Sequence, residues 1–270
     1  AQSPGTFAVP SIDLNIEEIE FVVAENQESS YDIIISNNGE DGSTLFYSID
    51  ESPFLHPFSD NDTDGYSWSH SNIDTSVDYN WVDSDDFIEL EFEDNDTATE
   101  PIELGFSFPF YGYNYSSCII NPNGWIGFGE DNIGWNNLSI YDEESPKNAI
   151  FGFWDDLNPS QSGNEQGEGV IKYIVLEDTF VVWYDQVIHW TNDERVYDFQ
   201  IVIDSSGGIN LNYKSLEGAV TSATAGIINA DGTLGHQVIH NSDLLESNMS
   251  VQFSPETSWI SIFNQNDINE

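Results

Sequence analysis

The chain of 270 residues contains one cysteine, Cys118, so no disulfide framework is available within it. Lysine and arginine together number 4, against 49 aspartates and glutamates, for a formal net charge of -45. This shortage of cations excludes nucleic acid as a direct ligand, because that partner requires positive groups laid against phosphates. It also disfavours attachment to anionic lipid. No run of about 18 apolar residues occurs, so no segment reads as a membrane span. No stretch sustains an apolar period of 3.6, which leaves little room for helix. No leader peptide is evident. The opening Ala1-Gln2-Ser3-Pro4 reads either as a mature terminus left by leader cleavage or as an arbitrary boundary.

What the chain does have is apolar and aromatic material. Hydrophobic residues make up 39% and aromatics 14%, including 8 Trp, 12 Tyr and 17 Phe. That is too much for a disordered acidic chain and enough for a sizeable core. The carboxylates repel one another unless salt screens them or divalent cations offset them. Ca²⁺ takes oxygen ligands of the kind present here in excess, so the expected setting is seawater, brine or a calcium-rich exterior.

The pattern is that of short strands. Ile88, Leu90 and Phe92 alternate with Glu89 and Glu91. Extended runs follow at 102–110, 117–121, 125–128, 149–154, 169–176, 179–184, 197–204, 208–213, 222–228, 237–240 and 249–253. Asp204-Ser205-Ser206-Gly207-Gly208 and Ala230-Asp231-Gly232 have hairpin-turn chemistry. The expected fold is all-β: a large antiparallel, jelly-roll-like β-sandwich over 87–254 and a small, incomplete immunoglobulin-like sandwich from 12–50 with 255–270. Residues 1–11 read as a flexible arm, and 51–86 as a long acidic loop tied down by Tyr66, Trp68, Tyr79 and Trp81.

Motifs in the large segment resemble a known family. They are Leu104-Gly105-Phe106-Ser107-Phe108-Pro109-Phe110, Asn121-Pro122-Asn123-Gly124-Trp125, Phe151-Gly152-Phe153-Trp154-Asp155-Asp156, Phe180-Val181-Val182-Trp183-Tyr184 and Ala223-Thr224-Ala225-Gly226-Ile227. They are similar to the nidogen-like extracellular β-sandwich modules of large secreted bacterial proteins. Such modules are appended to subtilisin-like peptidases or sit in cell-surface proteins. The flanks, with Ile33-Ile34-Ile35-Ser36-Asn37-Asn38-Gly39 and Ser258-Trp259-Ile260-Ser261-Ile262, resemble a bacterial immunoglobulin-like repeat into which the large sandwich is inserted. The resemblance implies an extracellular or surface location and brings no reaction with it.

Several residues are candidates for chemistry. Asp60-Asn61-Asp62-Thr63-Asp64-Gly65 places carboxylates at alternate positions before a glycine, the arrangement by which a short loop wraps Ca²⁺. Position twelve of a full EF-hand would be Ser71 rather than Glu, so a calcium loop of another type is expected, with a solvated acidic turn as the plainer reading. Asp94 and Asp96, and the adjacent Asp155 and Asp156, are weaker candidates for metal. Trp68, Trp81, Trp135 and Trp190 lie in or beside loops and are candidates for stacking on a sugar, against the plainer role of packing. The five histidines lack an evident third zinc ligand, no G-x-S-x-G is present, and Cys118 sits in a predicted strand. The chain therefore reads as non-enzymatic. Two functional classes remain. One is a self-assembling filament, matrix or surface subunit in which residues from 1–23 complete the small sandwich of the next copy, with Ca²⁺ as stiffener. The other is a module that binds an extracellular polysaccharide or mediates adhesion within a larger secreted protein.

Overall fold

The computed structural model describes residues 12–14, 35–38, 65–129, 134–163, 166–191 and 194–255. The chain divides into two compact units, 1–52 with 257–270, and 53–256. In the first unit, β1 (Ile12–Leu14) pairs antiparallel with β2 (Ile35–Asn37). The rest of the expected immunoglobulin-like strands, the arm at 1–11 and the loop Asp60-Asn61-Asp62-Thr63-Asp64 lie outside the described residues.

The second unit is an antiparallel two-sheet sandwich. Its strands are β3 (Tyr66–His70), β4 (Ile88–Glu89), β5 (Ile102–Phe110), β6 (Tyr113–Asn121), β7 (Trp125–Gly127) and β8 (Ala149–Trp154). They continue with β9 (Leu157–Asn158), β10 (Val170–Val175), β11 (Thr179–His189), β12 (Val196–Asp204), β13 (Ile209–Glu217), β14 (Thr224–Ile228), β15 (Gly235–His240) and β16 (Met249–Pro255). One sheet runs β3-β16-β13-β12-β11-β10-β4, with β9 also paired to β11; the other runs β15-β14-β8-β7-β6-β5. The helical content among the described residues is a single 3-10 turn at Ser160–Ser162.

The two inner faces meet through Phe108, Ile120, Ile150, Phe153, Phe180, Phe199, Ile201 and Leu211. Three tyrosines cross between the layers and satisfy carbonyls of the opposite sheet. Tyr184 donates to Asn121 O at 2.7 Å, Tyr213 to Gly152 O at 2.7 Å, and Tyr66 to Pro109 O at 3.2 Å. Gly152 allows that approach, since a Cβ there would meet Ile201 Cγ1 at 2.7 Å.

The outer faces are covered as well. Ile119, Trp125, Phe151, Trp154 and Ile228 form a second cluster with Ile140 and Leu138, from the segment after Gly134. Every residue of β8 is therefore buried, and its sequence is an unbroken apolar run rather than an alternating one. On the other outer face, Val82 and Phe87 pack on Ile174, Val181 and Val202. The buried Gln200 amide holds this segment, donating to Val82 O at 2.7 Å and accepting from Val82 N at 3.0 Å.

Two expectations need correction. The segment read as acidic loop contains β3, so the sandwich takes in residues before Phe87. In addition, Ile88 does not share a face with Leu90 and Phe92. It is exposed while they are buried, because the strand stops at Glu89 and the chain then crosses toward the 3-10 turn, with Phe92 N donating to Gln161 O at 3.2 Å.

Candidate functional site

The site forms where three segments converge at one end of the sandwich. After β8 the chain turns through Asp155 and Asp156 into β9, and β9 pairs with the end of β11 through Ile188↔Asn158 and His189↔Leu157. One further backbone bond, Trp190 N to Asp156 O at 2.8 Å, carries that ladder past the strand and sets Trp190 beside Asp156.

The third segment is the bend at 93–96, fixed by Asn123. Its fully buried amide donates to Asn95 O at 3.0 Å and Asp96 Oδ1 at 3.2 Å, and accepts from Leu157 N at 2.8 Å. Asn121 Nδ2 adds a bond to Asp96 O at 3.1 Å, and Asn121 Oδ1 accepts from Asn123 N at 2.8 Å. Gly124, with φ at +92°, permits the turn that points both asparagines this way.

These segments and the stretch after Gly134 enclose a cleft of about 290 Å³ lined by Asn95, Asp96, Trp135, Asp156 and Trp190. The stretch is anchored by Trp154, whose indole donates to Gly134 O at 2.6 Å. Trp135 and Trp190 remain 51% and 46% exposed.

The four described carboxylates read as metal candidates differ in their surroundings. Asp94 is used locally, its Oδ1 accepting from Asp96 N at 2.9 Å and Thr97 N at 2.7 Å; the Asp96 amide first, then that of Thr97, holds its pKa below the ordinary value. The buried Asp155 accepts from Asp156 N at 3.0 Å and Ser222 Oγ at 2.7 Å, with His189 Nε2 at 3.5 Å from its Oδ1. Thr191 N donates to His189 Nδ1 at 3.1 Å, which turns Nε2 toward Asp155. Asp96 is tied to Asn123. The half-buried Asp156 carboxylate accepts no hydrogen bond among the described residues. Burial, with Asp96 and Asp155 adding to it against His189 and Arg195, pushes its pKa up to about 6.

Among the described residues no group of three or more His, Cys, Asp or Glu side chains is arranged to hold a metal. Trp68 and Trp81 are not brought to the cleft. Trp68 lies in β3 with its ring 6.4 Å from that of Phe253, and Trp81 meets Trp183 edge-on at 5.4 Å. Two of the four tryptophan candidates and two of the acidic ones therefore line one cleft. Asn95 and Asn123 had no assigned role in the sequence, although Asn123 lies inside a motif that carried the family resemblance.

A family model described as NIDO-related matches residues 51–267. The chain belongs to the NIDO-related family. The match spans the whole sandwich and identifies an extracellular, non-enzymatic β-sandwich module of the adhesion or structural class. No curated protein and no solved structure matches the chain. No helix among the described residues is long and apolar enough to cross a membrane.

Proposed function

We propose that this NIDO-related module is a glycan-binding adhesion domain and that the cleft at Trp135 and Trp190 receives the sugar. One observation carries the reading: two indoles, each about half exposed, line the same cleft as Asn95, Asp96 and Asp156. Large aromatics left in water are costly unless something covers them. An apolar wall with a few convergent polar groups is the general form of a small-ligand site. Sugar rings present C–H faces that pack on indole and hydroxyls that donate to carboxylate and amide oxygens. Binding of a panel of soluble oligosaccharides, measured by calorimetry, tests the reading. The parent should bind at least one of them, and Trp135→Ala and Trp190→Ala should each weaken that binding tenfold or more without lowering the melting temperature.

We also propose that the protein binds Ca²⁺ and that its copies assemble. The spacing of Asp60, Asp62 and Asp64 supports a Ca²⁺ loop, and a chelator would then lower the melting temperature. Assembly of copies through residues 1–23 predicts that removal of 1–11 reduces any polymer to monomers.

A further inference from the structure

We infer that the cleft selects a sugar bearing a free amine, an alkylammonium cation at neutral pH, over neutral or acidic sugars. The inference rests on the glycan reading above and adds the charge of the ligand.

The first ground is the pairing of chemistries in the wall. Indole faces carry negative potential and attract organic cations, and the attraction grows as the cation is desolvated. Trp135 and Trp190 therefore suit an ammonium group, and carboxylates from two different segments, Asp96 and Asp156, line the same space. A hydroxyl would be served by either feature alone, whereas an ammonium uses both at once.

The second ground is the state of Asp156. Its carboxylate lacks a hydrogen-bond partner among the described residues, although it is half-buried. The positive or protonatable groups around it are committed elsewhere. Arg195 donates to Thr191 Oγ1 at 2.8 Å and Ser222 Oγ at 3.2 Å, and His189 is held between Thr191 and Asp155. The other three basic residues of the chain are also engaged. Lys147 caps the carbonyls of Ile140 and Asp142, Lys172 pairs with Asp185 at 2.8 Å, and Lys214 lies 3.3 Å from Asp198. Burial, opposed by His189 and Arg195 and reinforced by Asp96 and Asp155, disfavours the charged form of Asp156 on balance, a cost that a bound cation would relieve.

The third ground is exclusion. With 49 acids against 4 bases, the field of the protein repels uronic and sulfated sugars. The same field draws any polycation without specificity, so the probe must be small.

The experiment compares three disaccharides near physiological ionic strength: two linked 2-amino-2-deoxyglucose units, their di-N-acetyl form, and the plain glucose disaccharide. The parent should bind the diamine at least tenfold more tightly than either of the others. Asp156→Asn should bring the three affinities close together, since it removes one of many charges and leaves the bulk field in place. Trp190→Ala should weaken all three. Equal affinities in the parent overturn the inference and leave the glycan reading standing. A preference for the diamine that survives both Asp156→Asn and Asp96→Asn also overturns it, as it would then come from diffuse charge. Failure to bind any of the three overturns the inference, and failure across the whole oligosaccharide panel overturns the glycan reading with it.

Discussion

The backbone amide of Trp190 donates to the carbonyl of Asp156 at 2.8 Å, so these two residues of the cleft wall are fixed to each other by main chain. The bond extends the β9–β11 pairing by one step. A wall fixed by main chain in this way would lower the ordering cost of binding a ligand.

Asn123 is the residue that holds the other carboxylate in place. Removing its amide in Asn123→Ala strands Leu157 N and frees the bend at 93–96. A buried polar group left without a partner costs about 1–3 kcal/mol. The variant should melt several degrees lower by calorimetry, at about 2–4 °C per kcal/mol for a unit of this size. It should also lose ligand affinity, whereas Trp135→Ala loses affinity alone.

Gly124→Ala should be worse. Its φ of +92° is one that side chains rarely adopt, and a Cβ would come within 2.0 Å of Phe153 O. A loss of about 3 kcal/mol or more is expected from strain and clash together. Urea unfolding should show a lower midpoint with an unchanged slope.

Much of this fold was legible because short apolar runs and turn chemistry agree along β5 to β8 and β10 to β16. The hairpin turns at 204–208 and 230–232 connect the expected strands. What escaped had physical causes. Strand β11 runs past Tyr184 to His189 because a bulge absorbs Gln186, with φ at +54°, and the polar pair Asp185-Gln186 hides the continuation. Strand β3 is short and sits among aspartates, so its pairing with β16 has no local signal. The cleft was legible only as scattered parts. Trp135, Trp190, Asp96 and Asp156 stand out singly as residue types, but the contacts that gather them run through Asn123 and the β9–β11 pairing, which are long-range.

Asp156 makes stability depend on pH. A carboxyl whose pKa rises on folding holds its proton more tightly in the folded state, so its contribution favours the fold at low pH and is lost as pH rises. Here the window runs from the ordinary 3.8 to about 6. Screening of this half-exposed group limits the effect to about 1 kcal/mol. Relative to the parent, Asp156→Asn should gain stability across that window and hold the gain above it. Parallel stability curves for the two proteins would contradict the assignment.

Trp183 sits between two of the four cations. The Lys172 ammonium lies 3.5 Å from its ring centroid and that of Lys214 5.2 Å, while its indole donates to the buried Asp198 at 2.7 Å. Trp183→Phe keeps an aromatic ring of smaller area and removes that donor, and should cost about 1–3 kcal/mol. Lys172→Ala removes both its ring contact and its pairing with Asp185, for about 1 kcal/mol. Equilibrium unfolding of both variants checks this order.

In the proposed glycan site, Trp135 and Trp190 contact the ligand. The most direct measurement is calorimetric titration of the aminosugar disaccharide into the parent and into the Trp135→Ala, Trp190→Ala double variant, with melting curves on both. The parent should show saturable one-to-one binding, and a double variant that melts as the parent does should lose it. Undiminished binding by a folded double variant would contradict the proposed site.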